Sequence, residues 1–139
     1  MKKPALLFTL KCTAIIYIAA CSGFDSFTKA KSVTPVVTKG NWKVNCFGNN
    51  AADNTCIFEG YTFTFEPTGK VIAAKENTRY EGSWIEDDIQ KKITISFKNS
   101  GTALDELSNY WNISSIHDGE ISFEKKEGNA TDKLYITAL

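Results

Sequence analysis

The chain reads as an all-β protein, a small antiparallel up-and-down barrel of eight strands. Three observations predict it. From Trp42 to Ala138 apolar residues recur at alternate positions in eight short runs. Turn-forming pairs separate several of these runs, and a single helix-like interruption falls late in the series. Eight strands that are each apolar on one face must curl or pair to bury those faces, and closing the sheet removes exposed edges altogether. A two-sheet sandwich is the alternative.

The first run sets Trp42, Val44 and Cys46 against Lys43 and Asn45. The second sets Tyr61, Phe63 and Phe65 against Thr62 and Thr64. Upstream, Glu59 falls on the apolar face unless a bulge at Gly60 turns it out and brings Phe58 and Cys56 in. Glu66-Pro67-Thr68-Gly69 has Pro and Gly where a turn wants them. Val71 with Ala73, then Tyr80 with Gly82 and Trp84, make the third and fourth runs, and Glu86-Asp87-Asp88 reads as a polar turn. Ile93, Ile95 and Phe97 form the fifth. Residues 101–108 break the rhythm: Thr102 and Asp105 suggest a capping box, with Ala103, Leu104 and Leu107 along one helical turn. Trp111 with Ile113, Ile121 with Phe123, and Leu134 with Ile136 and Ala138 complete the set; His117-Asp118-Gly119 is the hairpin between the sixth and seventh.

Before the alternation begins, the sequence changes character twice. Lys2 and Lys3 precede an apolar stretch from Ala5 to Ala20, interrupted by Lys11, as in an export signal. Ile18-Ala19-Ala20-Cys21 resembles the lipobox of bacterial lipoproteins. The resemblance implies cleavage before Cys21, acylation of its sulfur and an anchored N-terminus. Durable anchoring needs more than one acyl chain, each buried methylene contributing about 0.8 kcal/mol. Ser22-Gly23 lacks an acidic signal for inner-membrane retention or surface export, which points to the periplasmic face of an outer membrane. The division expected is a signal peptide over 1–20, a lipidated and flexible tether over 21–38, and the barrel over 39–139. Extended, the tether from Ser22 to Thr38 spans at most roughly 55–60 Å.

Gly40-Asn41-Trp42, opening the first strand, resembles the Gly-x-Trp signature of lipocalins, in which the tryptophan plugs the closed end of the barrel. Gly60-Tyr61-Thr62-Phe63, Gly69-Lys70-Val71, Tyr80-Glu81-Gly82-Ser83-Trp84 and Leu104 through Leu107 to Trp111 resemble the small lipocalin-like lipoproteins of Bacteroidetes. The resemblance covers residues 39–139 and implies structural roles for Gly40 and Trp42. It departs from the larger lipocalins in lacking an arginine near the end of the last strand to pack over Trp42, and in lacking a C-terminal helix.

Composition excludes more than it assigns. Acidic and basic residues number 16 each, but loss of Lys2, Lys3 and Lys11 with the leader leaves an acid excess of three. Basic residues are scattered, Arg79 is the sole arginine, and no stripe for nucleic acid appears. The one histidine, His117, sits in a turn, so no catalytic constellation is expected and the chain reads as a non-enzyme. No cofactor is implied. Asn49, Asn50, Asp53 and Asn54 fit no calcium-loop spacing and read as a polar loop, and no metal site is expected. With Cys12 lost and Cys21 acylated, Cys46 and Cys56 remain, and in an oxidising compartment they read as a disulfide; two buried free thiols are the alternative.

Large rings dominate the inward face. An eight-stranded barrel is wide enough either to be filled by side chains or to hold one small ligand. If one end stays open, Phe63, Phe65, Tyr80, Trp84 and Trp111 are the residues expected to line a mouth for a small apolar molecule or lipid. If the rings are core, the protein is a filled barrel that contacts an envelope protein through its outer surface or inhibits a protease. The partners expected are thus the membrane through the acyl chains, and either an apolar ligand or a protein.

Overall fold

A computed structural model describes residues 32–49, 52–98, 100–117 and 119–139. The leader, Cys21, most of the tether, Asn50 and Asp118 lie outside the described residues. The chain forms a short helix α1 (Thr34–Val37), strands β1 (Asn41–Gly48), β2 (Thr62–Phe65), β3 (Lys70–Lys75), β4 (Thr78–Asp87) and β5 (Lys92–Ser96), a second short helix α2 (Leu104–Leu107), and strands β6 (Asn109–His117), β7 (Glu120–Glu127) and β8 (Ala130–Ala138). Every strand pairs antiparallel with its sequence neighbour, and β8 returns to β1 to close the barrel. A sandwich is therefore excluded.

The eight alternating runs fall on the eight strands, and their apolar members form one core from Trp42 to Ile136. Tight turns join the strands where the backbone permits. Gly69 donates to the Glu66 carbonyl at 3.0 Å and takes a φ of +96°, which an L side chain adopts only with strain. Gly82 does a different job. A Cβ there would lie 2.4 Å from the Ser96 carbonyl oxygen and 2.8 Å from the Phe97 ring, so its bareness lets β4 and β5 meet.

Several expectations need correction. Residues 32–38 are not tether: α1 lies across one end of the barrel with Val33 and Val37 wholly buried, so the barrel domain begins before residue 39. Gly60 makes no strand bulge. Thr55–Phe58 is a 3-10 turn, Gly60 reverses the chain at φ +88°, and Phe58 is buried by the turn while Glu59 is exposed. The bulges lie at Val44/Cys46 and Ile113/Ser115 instead. The first of these leaves both Cys46 and Phe47 buried, which adds Phe47 to the core. Thr102 and Asp105 form no capping box: the Thr102 hydroxyl accepts from Leu104 N, whereas Asp105 accepts from Ser100. Glu86 and Asp87 still belong to β4, and Ala138 is exposed.

One end of the barrel collects the start of β1, the end of β8 and the turns β2–β3, β4–β5 and β6–β7. The other end collects the loop after β1, the β3–β4 and β7–β8 turns and α2. Entry of the chain beside β1 defines the first as the entry end.

Candidate functional site

Trp42 stands at the entry end, 1% exposed, with its indole Nε1 donating to the Val37 carbonyl at 2.9 Å. That carbonyl is among those a helix leaves without an internal partner, so one bond satisfies a buried donor and a helix end together. Gly40, at φ +79°, supplies the reversal between α1 and β1. The Gly-x-Trp pair thus seats α1 over the barrel floor.

Glu86 locks the same segment from the side. Its carboxylate accepts from the Ser32 hydroxyl (2.9 Å), Val33 N (2.9 Å), Thr34 N (3.0 Å) and the Thr34 hydroxyl (2.5 Å). Partial burial raises its pKa, but these bonds, the Thr34 hydroxyl foremost, more than offset it and hold the group below its usual value of 4.5. Beside this clasp a surface groove of about 810 Å³ runs over the outer face of β4 and β5. Its floor carries Ser83, Ile85, Thr94 and Ser96, and its walls are the Pro67–Gly69 turn and Ser32 with Thr34. Ile85 is 68% exposed, an isolated apolar residue amid hydroxyls.

The residues expected to line an internal mouth are not gathered at one. Phe65 and Trp84 form an edge-to-face pair at 5.7 Å, and Trp84 Nε1 donates to the Glu66 carbonyl at 2.9 Å. Phe63 stacks on Tyr61 at 6.0 Å. Trp111 packs against Phe47 at 6.2 Å and donates to the Leu107 carbonyl at 3.1 Å, tying β6 to α2. Only Tyr80 of the five is half-exposed, 6.4 Å from Tyr61. Both tryptophans use their polar atom on backbone, as buried indoles do when they serve packing.

A charge that the sequence reading passed over lies at the end opposite the entry. Lys125 shares a face of β7 with Ile121 and Phe123 and is 8% exposed. Its ammonium pairs with Asp132 at 3.3 Å and Glu127 at 3.4 Å, 6.0 Å from the Trp111 ring centroid. Burial lowers its pKa, but Asp132 and then Glu127 outweigh this and raise it above 10.5. The available signal was a lysine two places after Phe123 on an apolar face. Glu86 left no such signal, because three adjacent acids read as a solvated turn.

Cys46 is buried on β1 and Cys56 half-buried in the 3-10 turn; both are disulfide-bonded and neither is a free thiol. Among the described residues no group of three or more His, Cys, Asp or Glu side chains converges as a metal site would require.

These features define a class: a closed eight-stranded antiparallel barrel with an aromatic-filled core and a plugged entry end. No family model matches the chain, and no curated protein does. A solved structure does share the fold. The chain is similar to a DUF4847 family protein from Bacteroides vulgatus ATCC 8482, with a TM-score of 0.53 and 18% sequence identity, over 74% of this chain and 96% of that one. At that identity the likeness is one of fold.

Proposed function

We propose that the protein is a lipid-anchored, non-enzymatic module of the bacterial cell envelope, a lipocalin-like barrel that acts through its outer surface rather than by carrying a ligand inside. The observation that carries this reading is the fate of the aromatic residues. Phe63, Phe65, Trp84 and Trp111 are spent on one another, on Phe47 and Tyr61, and on backbone carbonyls. A pocket for an apolar guest would leave some of those faces unpaired. The outer groove over β4 and β5, with hydroxyls around Ile85, is the contact surface we assign to a protein partner. Acylation at Cys21 and a periplasm-facing outer-membrane position follow from the lipobox resemblance and belong to the same proposal. So does pairing of Cys46 with Cys56.

The test is to purify the full lipoprotein from its native envelope, extract it with solvent, and identify small molecules by mass spectrometry against an anchor-only control. A photo-crosslinking residue is placed in parallel at Thr94 and, as a control, at Lys126. We expect no stoichiometric small molecule and one protein adduct from Thr94 that Lys126 does not give. A stoichiometric apolar ligand overturns the filled-barrel reading.

A further inference from the structure

The β4–β5 turn carries a residue that turn chemistry does not call for. Ile89 stands at its tip, 93% exposed. Tips of tight turns are ordinarily Gly, Asn, Asp, Ser or Pro, because those residues satisfy the backbone and tolerate water. Nor is this a loose loop. Asp87 Oδ1 accepts from Ile89 N at 3.1 Å and Gln90 N at 2.9 Å, and Lys91 pairs with Asp88 at 2.9 Å. The turn holds one aliphatic side chain out into solvent.

Its position gives it meaning. The described chain starts at Ser32, which bonds to Glu86, three residues before Ile89. The point where the chain joins the barrel and the projecting isoleucine therefore belong to the same corner. One more large exposed apolar residue belongs to this end: Leu139, 69% exposed, whose N–H bonds to the Asn41 carbonyl at 2.9 Å. Charges of both signs flank the tip, Asp87 and Asp88 against Lys91 and Lys92, so it offers no strong bias toward an anionic surface.

We infer that the entry end of the barrel rests on the lipid bilayer, with Ile89 seated at the headgroup–acyl boundary. The inference relies on the proposed acylation of Cys21. Ten residues lie between Cys21 and Ser32, and the eleven backbone steps reach at most roughly 40 Å. A domain held that close meets the surface at an effective concentration of about millimolar, so a contact too weak to recruit a free protein suffices to orient an anchored one. Docking at this corner leaves α2 and the β7–β8 turn facing away from the membrane.

The test uses the full lipoprotein in phosphatidylcholine vesicles whose acyl chains are brominated, a short-range quencher of tryptophan. Trp42, Trp84 and Trp111 are buried and supply a constant background. Ile89→Trp should lose its added emission in brominated vesicles relative to unbrominated ones. Asn129→Trp, in the β7–β8 turn at the opposite end, should keep it. Flotation of the same samples reads the anchor separately. A chain that floats with Ile89→Trp no more quenched than Asn129→Trp overturns the docking and leaves the anchor standing. A chain that does not float overturns both.

Discussion

Replacing Glu86 with alanine removes the sole side chain that accepts both Val33 N and Thr34 N in the described structure. Two backbone donors and two hydroxyls lose a charged acceptor at once. A hydrogen bond to a charged group contributes roughly 1.5–3 kcal/mol, but the site is part-exposed and water can replace some of what is lost. A net cost of about 2–3 kcal/mol is expected. With a urea m-value of about 1–1.5 kcal/mol/M, the midpoint should fall by about 2 M. The assay is urea denaturation of oxidised residues 22–139, followed by far-UV circular dichroism. The pH dependence supplies a second reading. The folded pKa of Glu86 lies below its ordinary 4.5, so its contribution is fully present above that value and is lost as pH falls through the folded pKa. Wild type and variant should therefore differ most near neutrality and converge in acid. A cost under about 0.5 kcal/mol at pH 7, the ordinary level for a surface substitution, would refute the clasp.

Three further substitutions test other parts of the barrel. Gly82→Ala drives a Cβ against the Ser96 carbonyl and the Phe97 ring, and should cost about 2–3 kcal/mol by the same denaturation. Lys125→Met removes the buried ammonium together with its approach to the Trp111 ring but leaves an unbranched apolar side chain in its place. Because Asp132 and Glu127 retain access to water, the cost should be less than about 1 kcal/mol. Because the folded pKa of Lys125 is raised, its stabilisation is complete below 10.5 and is lost as pH rises through the folded pKa; the variant should lack that alkaline loss in a pH series of melting curves. For the proposed Cys46–Cys56 pair, thiol titration of the unfolded, unreduced protein should find no free sulfhydryl. Cys46→Ser with Cys56→Ser should cost about 3 kcal/mol on the chain-entropy model. Two titratable thiols per mature chain would remove the pairing.

The strands were legible because a half-buried strand writes its burial into alternate residues, and Thr62–Phe65 or Ile93–Phe97 can be read without knowing their neighbours. The helical interruption was legible from Leu104 and Leu107. What escaped the sequence were the pieces fixed by distant partners. Val33, Val36 and Val37 have helical spacing over a single turn, too short to show a period, and their burial depends on Trp42 and Glu86. Phe58 is buried and Cys56 half-buried by a 3-10 turn whose Thr55 is held by Asp53 and Phe47, not by any alternation of their own. The contacts of the rings expected at a mouth escaped for a related reason. Period two says that a ring points inward, but not which other ring meets it, and that second fact separates a lining from a filling.

The Glu86 clasp also decides what happens when the domain is pulled from its N-terminal side. Load arriving at Ser32 does not reach β1 first; it meets a short-range clasp on β4, arranged in series ahead of the ladder between β1 and β8. If the clasp yields and α1 comes away, Ser32–Thr38 can extend to at most roughly 25 Å while the eight strands stay closed. The barrel thus carries a mechanical fuse: its stitching to the entry segment can give and re-form without the sheet bearing the force.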